Sequence, residues 1–130
     1  MKNLICIIAA DPNSINSEII AKVWKKKSEF KNLNIFIIGN YLLIKKQLEK
    51  IKINLNLKKI NKIQKQNFKK KLLIYDVPLK FNKLFNVSAK AKSDYVINSF
   101  KIAIKLIKGR KMLGLINCPI NKIEIFGNKF

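Results

Sequence analysis

The sequence of 130 residues contains no histidine. This absence excludes a histidine general base, a Ser-His-Asp triad and a histidine metal site within the chain. The seven acidic residues are spread along the sequence, so no close carboxylate pair indicates glycosidase or two-metal chemistry. Only four glycines are present, and they form neither a glycine-rich dinucleotide fingerprint nor a P-loop. Several common enzyme classes are therefore excluded for these residues.

Cysteine and long apolar runs are also scarce. Cys6 and Cys118 lie in apolar, strand-like runs without metal-ligand spacing, so we expect free thiols in a reducing cytoplasm. No run approaches the roughly 20 apolar residues of a membrane span. Residues 4–10 are short for a signal peptide and are followed at once by Asp11 and Pro12, which favours a buried first strand. We therefore predict a cytoplasmic protein without a membrane partner.

Positive charge is abundant, with 28 basic residues against 7 acidic ones and a formal net charge of +21. Such an excess is typical of proteins that bind nucleic acid or anionic membranes. However, Arg110 is the only arginine, and lysine is poorly suited to bidentate recognition of phosphate or guanine. The lysines are scattered among Ile and Asn, which share A/T-rich codons with lysine. We expect no specific nucleic-acid partner, with a small basic nucleic-acid or membrane-binding module as the alternative.

Two strands and two helices alternate in the first half of the chain. Residues 4–10 are a continuous apolar run, typical of a strand that is buried on both faces of a parallel sheet, and residues 33–40 are a second buried strand closed by Gly39. A helix is predicted over residues 15–27 and a second one after residue 40. The predicted buried positions are Ile15, Ile19 and Val23 with Ile20 and Trp24 in the first helix, and Ile44, Leu48 and Ile51 in the second. Asn13, Ser14 and Asn16 are candidate N-caps of the first helix.

The second half continues the α/β pattern. Residues 53–60 alternate as in an edge strand, 61–71 form an exposed connection, and 72–79 form a strand ended by Pro78. A strong helix follows, with Val96, Phe100, Ala103 and Ile107 on its buried face, and it is expected to stop at Gly109 and Arg110. Residues 112–122 form a last strand and a turn at Pro119. The β-α-β order predicts an α/β sheet with right-handed crossovers.

Polar residues follow the first and the last predicted strands. In an open α/β sheet, ligands bind in the crevice beyond the carboxyl ends of the strands. If these strands are parallel, Asp11, Asn117, Asn121 and Lys122 face one crevice and suit a phosphorylated or carboxylated small substrate. The alternatives are a turn-forming role for Asp11, because Asp-Pro commonly starts turns, and a solvated surface position for Lys122.

Two stretches resemble one known family. The stretch "IAADPNSINSEII" (residues 8–20) resembles the opening motif, approximately I-T-x-G-D-P-A-G-I-G-P-E-I, of the 4-hydroxythreonine-4-phosphate dehydrogenases of vitamin B6 synthesis. The stretch "GLINCPINK" (residues 114–122) resembles the later A-L-V-T-G-P-I-N-K of that family. The stretch "IIGN" and the long helix occur between them in the expected order. The resemblance spans the whole chain and well under half of a typical family member.

Both motifs contain matches and departures. The matching residues are Asp11, Pro12, Ile15, Glu18, Pro119, Asn121 and Lys122. The departures are Ala10, Asn13, Ser14, Asn16 and Ser17, where the family has Gly, Ala, Gly, Gly and Pro, and Asn117-Cys118 in place of Thr-Gly. Asparagine adopts the left-handed backbone conformation more readily than most residues, so Asn16 is compatible with the turn.

The resemblance implies a definite reaction. Members of the family oxidise 4-phosphooxy-L-threonine with NAD or NADP and a divalent metal (Zn, Mg or Co). The product is a β-keto acid that loses carbon dioxide to give 3-amino-2-oxopropyl phosphate. Their fold is three-layer α/β/α, like that of isocitrate and isopropylmalate dehydrogenases, with two domains, a cleft between them and a homodimer. Their coenzyme is bound without the usual glycine-rich fingerprint.

The resemblance also implies what this chain lacks. The metal-binding histidines of the family lie downstream, and its Gly-His-Thr segment would begin just after Phe130. We therefore expect residues 1–130 to form one incomplete α/β unit, the N-terminal part of a two-domain dehydrogenase, inactive alone and without cofactor or metal. No catalytic, coenzyme or metal residue is assigned. The alternatives are a relative that acts on another phosphorylated hydroxy acid, and a decayed gene remnant.

Overall fold

Five strands form one parallel sheet in the computed structural model, which describes residues 3–108, 112–121, 123 and 125. The strands are β1 (Leu4–Ile8), β2 (Asn34–Gly39), β3 (Leu57–Ile60), β4 (Leu72–Asp76) and β5 (Gly114–Asn117). Their order across the sheet is β3-β4-β2-β1-β5, and every neighbouring pair is parallel. All the carboxyl ends therefore meet at one edge of the sheet, as the sequence predicts.

Of the elements with described bounds, three helices cover the two faces of the sheet. They are α1 (Asn16–Lys25), α2 (Tyr41–Lys50) and α3 (Ala89–Ile107), and a short 3₁₀ turn follows α1 at Lys27–Phe30. The connections from β1 to β2 and from β4 to β5 run in opposite directions across the sheet. Right-handed crossovers then place their helices on opposite faces. In agreement, α1 contacts α2, and α3 packs on β1 and β2. The predicted three-layer α/β/α fold is confirmed.

The central strands are the apolar runs of the sequence. Cys6, Ile8 and Phe36 are fully buried because helices cover both faces of β1 and β2. These two strands pair residue for residue from Leu4↔Asn34 to Ile8↔Ile38. The strands in the structure are shorter than the predicted runs because their last residues turn toward the helices.

The edge strand and its connection differ in part from prediction. A strand at the edge of the sheet is confirmed, but only the last four predicted residues, Leu57–Ile60, form it. The connection 61–71 was expected to be exposed, yet Ile63 and Phe68 are buried. The Phe68 ring lies 6.4 Å from the ring of Phe36. Ile63 and Phe68 are apolar residues in an otherwise polar and basic segment. Their burial holds the segment against the core.

The predicted buried face of α1 is correct only in part. Ile15 is 64% exposed and Val23 is 38% exposed, whereas Ile20 and Trp24 are buried as expected. The helix begins at Asn16, and its buried face also contains the polar residues Asn16 and Ser17. Hydrogen bonds of these two side chains rotate the helix away from the orientation that apolar spacing alone predicts.

The other two helices follow prediction more closely. In α2, Ile44 and Leu48 are buried, but Ile51 follows the end of the helix and is 37% exposed. In α3, Val96 and Ala103 are buried, whereas Phe100 and Ile107 are only half-buried. Tyr95, Ser99 and Leu106 complete the buried face of α3. The predicted stops of α3 at Gly109 and Arg110 lie outside the described residues.

One residue in the connection from β1 to α1 has a backbone conformation that is unfavourable for a residue with a Cβ atom. Ala10 has a φ of 62°, in the left-handed region where a Cβ costs roughly 1–2 kcal/mol. Ala10 is also fully buried, so the connection cannot relax toward solvent. This is the position at which the resembling motif has glycine, and glycine adopts the conformation without this cost.

We expect Ala10→Gly to raise the free energy of unfolding by about 1 kcal/mol, because relief of the left-handed strain exceeds the added entropy of the unfolded chain. The matched control is Ala21→Gly in the middle of α1, which should lower it by about 1 kcal/mol or more. Urea denaturation of the three proteins measures both changes. A loss of stability in Ala10→Gly would contradict strain at this residue.

Candidate functional site

Two turns meet at the carboxyl ends of β1 and β5. The strands are adjacent and parallel, paired from Ile5↔Gly114 to Ile8↔Asn117. The turn after β1 contains Asp11 and the turn after β5 contains Pro119, so both lie at the same edge of the sheet. The geometric condition for the predicted crevice, parallel first and last strands, is therefore met.

The Asn16 side chain connects these two turns. Its Nδ2 donates to the carbonyl oxygen of Ala9 at 2.9 Å and to that of Pro119 at 3.1 Å. Asn16 is only 3% exposed, and its hydrogen bond to Ala9 is buried, whereas its bond to the exposed Pro119 is partly buried. A buried carbonyl without a partner costs about 1–3 kcal/mol, and the amide group that satisfies the carbonyl of Ala9 also reaches that of Pro119. Asn16 thus fixes the position of the β5 turn relative to the β1 turn.

Asn16 is therefore not the N-cap of α1 that the sequence indicates as one possibility. The N-cap position is Ile15, and no side chain caps it. The hydroxyl of Ser14 accepts a hydrogen bond from the backbone N–H of Asn16 at 3.1 Å. The polar residues of the opening stretch are used mainly for contacts between distant segments.

Asn13 joins the opening turn to the segment before α3. Its Nδ2 donates to the carbonyl oxygen of Val87 at 2.9 Å, and its Oδ1 accepts from the N–H of the same residue at 2.7 Å. This pair of bonds satisfies both backbone groups of Val87 with one side chain. The segment that leads into α3 is thereby held beside the β1 turn.

A third buried contact joins the opening stretch to α2. The Ser17 hydroxyl donates to Oε1 of Gln47 at 2.6 Å, and Nε2 of Gln47 donates to the carbonyl oxygen of Pro12 at 2.7 Å. Ser17 and Gln47 are both buried. Because each polar atom in this chain of contacts has a partner, burial is tolerated and the packing of α1 on α2 becomes specific.

Asp11 shapes its own turn. Its Oδ1 accepts from the N–H of Asn13 at 2.9 Å, and its carbonyl oxygen accepts from the Ser14 hydroxyl at 2.8 Å. This is an Asx turn, the structural role that Asp-Pro sequences commonly have. Asp11 is half-buried, so the carboxylate also remains in contact with solvent. The turn-forming role is observed, and a role in substrate binding stays a prediction.

The other predicted site residues belong to the β5 turn. Asn117 is exposed, and its Nδ2 donates to the carbonyl oxygen of Cys118 at 3.1 Å. Asn121 is exposed, and its carbonyl oxygen accepts from the N–H of Ile125 at 3.1 Å. Lys122 lies outside the described residues. The structure thus brings the two turns together, and a joint role of Asp11, Asn117, Asn121 and Lys122 stays a prediction.

Sequence reasoning missed a second polar cluster, at the carboxyl ends of β2 and β4. The Tyr95 hydroxyl accepts from the N–H of Asn40 at 2.8 Å, and Oδ1 of Asp76 accepts from the N–H of Tyr41 at 2.8 Å. Asn40 caps α2 through Leu43. Burial raises the pKa of Tyr95 above its ordinary value, and the nearby Asp76 carboxylate adds to the rise. The tyrosine hydroxyl therefore stays protonated.

An open cavity of about 480 Å³ lies next to this cluster, at the carboxyl ends of β3 and β4. The Nζ of Lys59 is 4.0 Å from Oδ2 of Asp76 at its wall. The lining residues are Lys58, Lys59, Ile60, Asn61, Gln66 and Asp76. The only sequence signal for this cavity is that two predicted strands end close to it. No long-range pairing of these segments can be read from the sequence.

The structure gives little support for metal binding by these residues. In the described ranges, no group of three or more Cys, Asp or Glu side chains lies close enough to hold a metal ion, and the sequence has no histidine. Among the same residues, no helix is long and apolar enough to cross a membrane.

Comparisons with known proteins were made for the sequence and for the fold. No family model matches the sequence. A 4-hydroxythreonine-4-phosphate dehydrogenase from Sulfurihydrogenibium sp. (strain YO3AOP1) is 33% identical over 132 residues, which cover 97% of this chain and 38% of the relative. The match thus extends over nearly all of the chain and about two-fifths of the relative.

Solved structures carry the same fold. A 4-hydroxythreonine-4-phosphate dehydrogenase from Burkholderia phymatum matches with a TM-score of 0.83 and 16% identity over 99% of this chain and 40% of its own. A putative 4-hydroxythreonine-4-phosphate dehydrogenase from Salmonella typhimurium matches with a TM-score of 0.78 and 24% identity over 96% of this chain and 40% of its own. A 4-hydroxythreonine-4-phosphate dehydrogenase from Klebsiella pneumoniae matches with a TM-score of 0.78 and 20% identity over 96% of this chain and 39% of its own. At these identities the likeness concerns the fold alone.

The bridge at Asn16 can be tested by two substitutions. Asn16→Ala removes the donor from the buried carbonyl of Ala9 and the partly buried carbonyl of Pro119, and it should lower the free energy of unfolding by about 2 kcal/mol. Asn16→Asp should lower it further at neutral pH, because a carboxylate would face two carbonyl oxygens. The control is Asn98→Ala, at an exposed position of α3, where the change should stay within about 0.5 kcal/mol. Equal losses at both sites in urea denaturation would contradict the bridge.

The two thiols predict a pH dependence of stability. Burial raises the pKa of Cys6 and of Cys118 from 9.0 to about 11. Below pH 9 the thiols are protonated in both the folded and the unfolded chain and have no effect. Between pH 9 and about 11 only the unfolded chain releases these protons, so the thiols should lower stability as the pH rises. Thermal unfolding of the protein and of Cys6→Ala/Cys118→Ala across this range isolates their contribution, and parallel curves would contradict it.

Proposed function

We propose that this chain, a relative of the 4-hydroxythreonine-4-phosphate dehydrogenases that corresponds to the N-terminal part of that family, supplies one wall of the substrate crevice of such an enzyme. The proposal rests on sequence similarity over 97% of the chain. The meeting of the β1 and β5 turns, in which the matching motif residues lie, supports it. The chain spans about two-fifths of the length of these relatives, so the complete activity belongs to a longer fold.

The proposed reaction is the oxidation of 4-phosphooxy-L-threonine. A hydride passes from the carbon that bears the hydroxyl to NAD or NADP, and the hydroxyl proton is released. The resulting β-keto acid loses carbon dioxide, and the electron pair of the broken bond takes up a proton to give 3-amino-2-oxopropyl phosphate. This reaction is a step of pyridoxal phosphate synthesis, and we place it in the cytoplasm and in a homodimer of the complete enzyme.

The residues of this chain contribute binding groups. The Asp11 carboxylate suits the substrate ammonium group, and the side-chain amides of Asn117 and Asn121 suit hydroxyl, phosphate or carboxylate oxygens. The ammonium group of Lys122 suits the phosphate. Asn16 and Asn13 hold the turns that carry these groups, through Pro119 and Val87. We therefore assign positioning roles to Asn16 and Asn13.

The coenzyme and the metal are assigned to the rest of the homologous fold. The described residues contain no group of three or more Cys, Asp or Glu side chains that could hold a metal ion, and none of them is assigned to the coenzyme. We propose that the remaining three-fifths of the homologous fold holds both groups. The residues of this chain then bind and orient the substrate beside them.

A second candidate function is the oxidation of another phosphorylated hydroxy acid. It is favoured by Asn117 and Cys118, which stand where the resembling motif has Thr-Gly. Asn117 is the exposed last residue of β5, and the buried Cys118 is the first residue after it. Larger side chains there change the shape of the wall and hence the substrate that fits.

A chimera tests the proposed function. Residues 1–121 of this chain, with Lys122 as the junction, are joined to the remaining three-fifths of the Sulfurihydrogenibium relative. We expect the chimera to reduce NAD or NADP with 4-phosphooxy-L-threonine and a divalent metal, and we expect the 130-residue chain alone to be inactive. Reduction by the isolated chain would overturn the assignment of coenzyme and metal to the other part of the fold.

Variants of Asp11 in the chimera separate turn formation from substrate binding. Asp11→Asn keeps an oxygen acceptor for the N–H of Asn13 and removes the charge. We expect unchanged stability and a fall in kcat/KM of about tenfold or more, since each lost factor of ten corresponds to about 1.4 kcal/mol of binding. Asp11→Ala also removes the oxygen that accepts from the N–H of Asn13, so it should lower both the stability and kcat/KM. Unchanged kcat/KM in Asp11→Asn would leave Asp11 with a structural role alone.

A further inference from the structure

One continuous segment carries a large part of the positive charge of the chain. Residues 50–75, which run from the end of α2 through β3 and into β4, contain nine lysines and no acidic residue. All nine lysines are exposed: Lys50, Lys52, Lys58, Lys59, Lys62, Lys65, Lys69, Lys70 and Lys71. The reaction proposed for the turns of β1 and β5 uses none of these residues, since β3 lies at the other end of the sheet.

The segment is held in a definite shape around the cavity at the carboxyl ends of β3 and β4. The buried side chains of Ile63 and Phe68 attach it to the core. Between them, Nε2 of Gln66 donates to the carbonyl oxygen of Lys62 at 3.0 Å, and Oε1 of Gln66 accepts from Nζ of Lys58 at 3.4 Å. Gln66 and Lys58 both line the cavity, so this wall is formed before any ligand binds.

The opposite wall contains a carboxylate and a second lysine. Oδ1 of Asp76 accepts from the N–H of Tyr41 at 2.8 Å, which fixes the carboxylate beside the start of α2. Nζ of Lys59 lies 4.0 Å from Oδ2 of Asp76. This distance is longer than that of a charge-assisted hydrogen bond, so both groups can also contact a ligand.

The chemistry of the lining suits a ligand that carries both a phosphate and hydroxyl groups. The cavity has a volume of about 480 Å³, which is within the range of small-molecule sites. The ammonium groups of Lys58 and Lys59 bind a phosphate as point charges, and the Asn61 amide and the Asp76 carboxylate bind hydroxyl groups. Ile60 is the apolar residue of the lining, so an aromatic base would find little apolar surface there.

Two larger anionic partners are less well matched to residues 50–75. A single-stranded nucleic acid stacks its bases on exposed aromatic side chains, but Phe68 is buried and Tyr75 is half-buried. A membrane surface is bound by an apolar face in addition to charge, and Ile51 is the only exposed large apolar side chain among these residues. A small ligand in the cavity is therefore favoured.

We propose that this cavity binds a small phosphorylated polyol, such as a sugar phosphate, with its phosphate at Lys58 and Lys59 and its hydroxyl groups at Asn61 and Asp76. The site lies at the same edge of the sheet as the crevice of β1 and β5, at a distance of three strand spacings, or about 14 Å. It is a second site, and the inference does not rest on the proposed function.

A titration of the 130-residue chain with ribose 5-phosphate tests the site. Backbone amide chemical shifts are followed in about 0.15 M salt, which screens diffuse attraction of anions to the surface. We expect shifts that saturate and that are confined to residues 58–61, Gln66 and Asp76. Ribose and inorganic phosphate, each of which uses only part of the lining, should bind at least about tenfold more weakly.

Two variants with the same change of charge separate a site from general attraction. Lys58→Gln removes one phosphate-binding ammonium group and should weaken the binding of ribose 5-phosphate by about tenfold, which corresponds to about 1.4 kcal/mol. Lys58 is exposed, so the fold should not change. The control is Lys101→Gln at an exposed position of α3, which should weaken binding by less than about twofold.

Several results would overturn the inference. Shifts that do not saturate, or equal weakening by both variants, would show diffuse attraction of anions to a chain with a net charge of +21. Equal affinity for inorganic phosphate would refute recognition of the polyol. A single-stranded oligonucleotide that binds more tightly than ribose 5-phosphate, with an affinity that falls steeply with salt, would make the segment a nucleic-acid surface. None of these results concerns the reaction in the crevice, so the two proposals fail separately.

Discussion

A single side-chain amide, that of Asn16, determines how the two turns of the candidate crevice lie relative to each other. A parallel pair of strands fixes the spacing of their backbones but leaves the segments beyond their ends free. Here the carbonyl groups of Ala9 and Pro119 emerge from β1 and β5 and both accept from Nδ2 of Asn16. The burial of this group makes the link rigid, since any alternative arrangement would leave a buried carbonyl without a donor.

The other polar contacts of the opening stretch extend the same arrangement. Asn13 reaches the segment before α3, and Ser17 reaches α2 through Gln47. Segments from both faces of the sheet therefore converge on residues 11–17. In many α/β proteins glycine-rich backbone performs this close packing, whereas in this chain short polar side chains fill the space and provide hydrogen bonds.

The sequence predicts the order of strands and helices well, because long apolar runs and helical spacing are strong local signals. The central strands β1 and β2, the core position of Trp24 and the parallel meeting of the two turns follow from them. The buried face of α1 was predicted incorrectly because Asn16 and Ser17 are buried by contacts with Pro119 and Gln47, which are distant in sequence. Tertiary hydrogen bonds of this kind leave no periodic pattern.

For the candidate site too, local features were predicted from the sequence and long-range contacts were not. Asp11 was identified as either a turn former or a binding residue, and the structure reveals the turn through its bond to Asn13. Asn13 itself was considered only as a helix cap, since its true partner, Val87, is 74 residues away. The cluster of Tyr95 and Asp76 was missed because it depends on the pairing of β2 with β4 across a long connection.

Some of the positively charged side chains of this chain also have a structural role. Nζ of Lys69 donates to the carbonyl oxygens of Lys31 and Leu33, and Nζ of Lys27 donates to the carbonyl oxygen of Lys69. The Lys27 ammonium group also lies 4.4 Å from the centre of the Trp24 ring. Some of the positive charge is thus used to hold the 61–71 connection against the end of α1.

The bridge at Asn16 constrains which residues position 16 can carry. Asparagine stands where the resembling motif has glycine, and its amide group donates to the carbonyl oxygens of Ala9 and Pro119. A glycine at residue 16 would gain backbone freedom and lose both hydrogen bonds at once. The side chain at this position is therefore coupled to the β5 turn, and a glycine there calls for another donor to that turn.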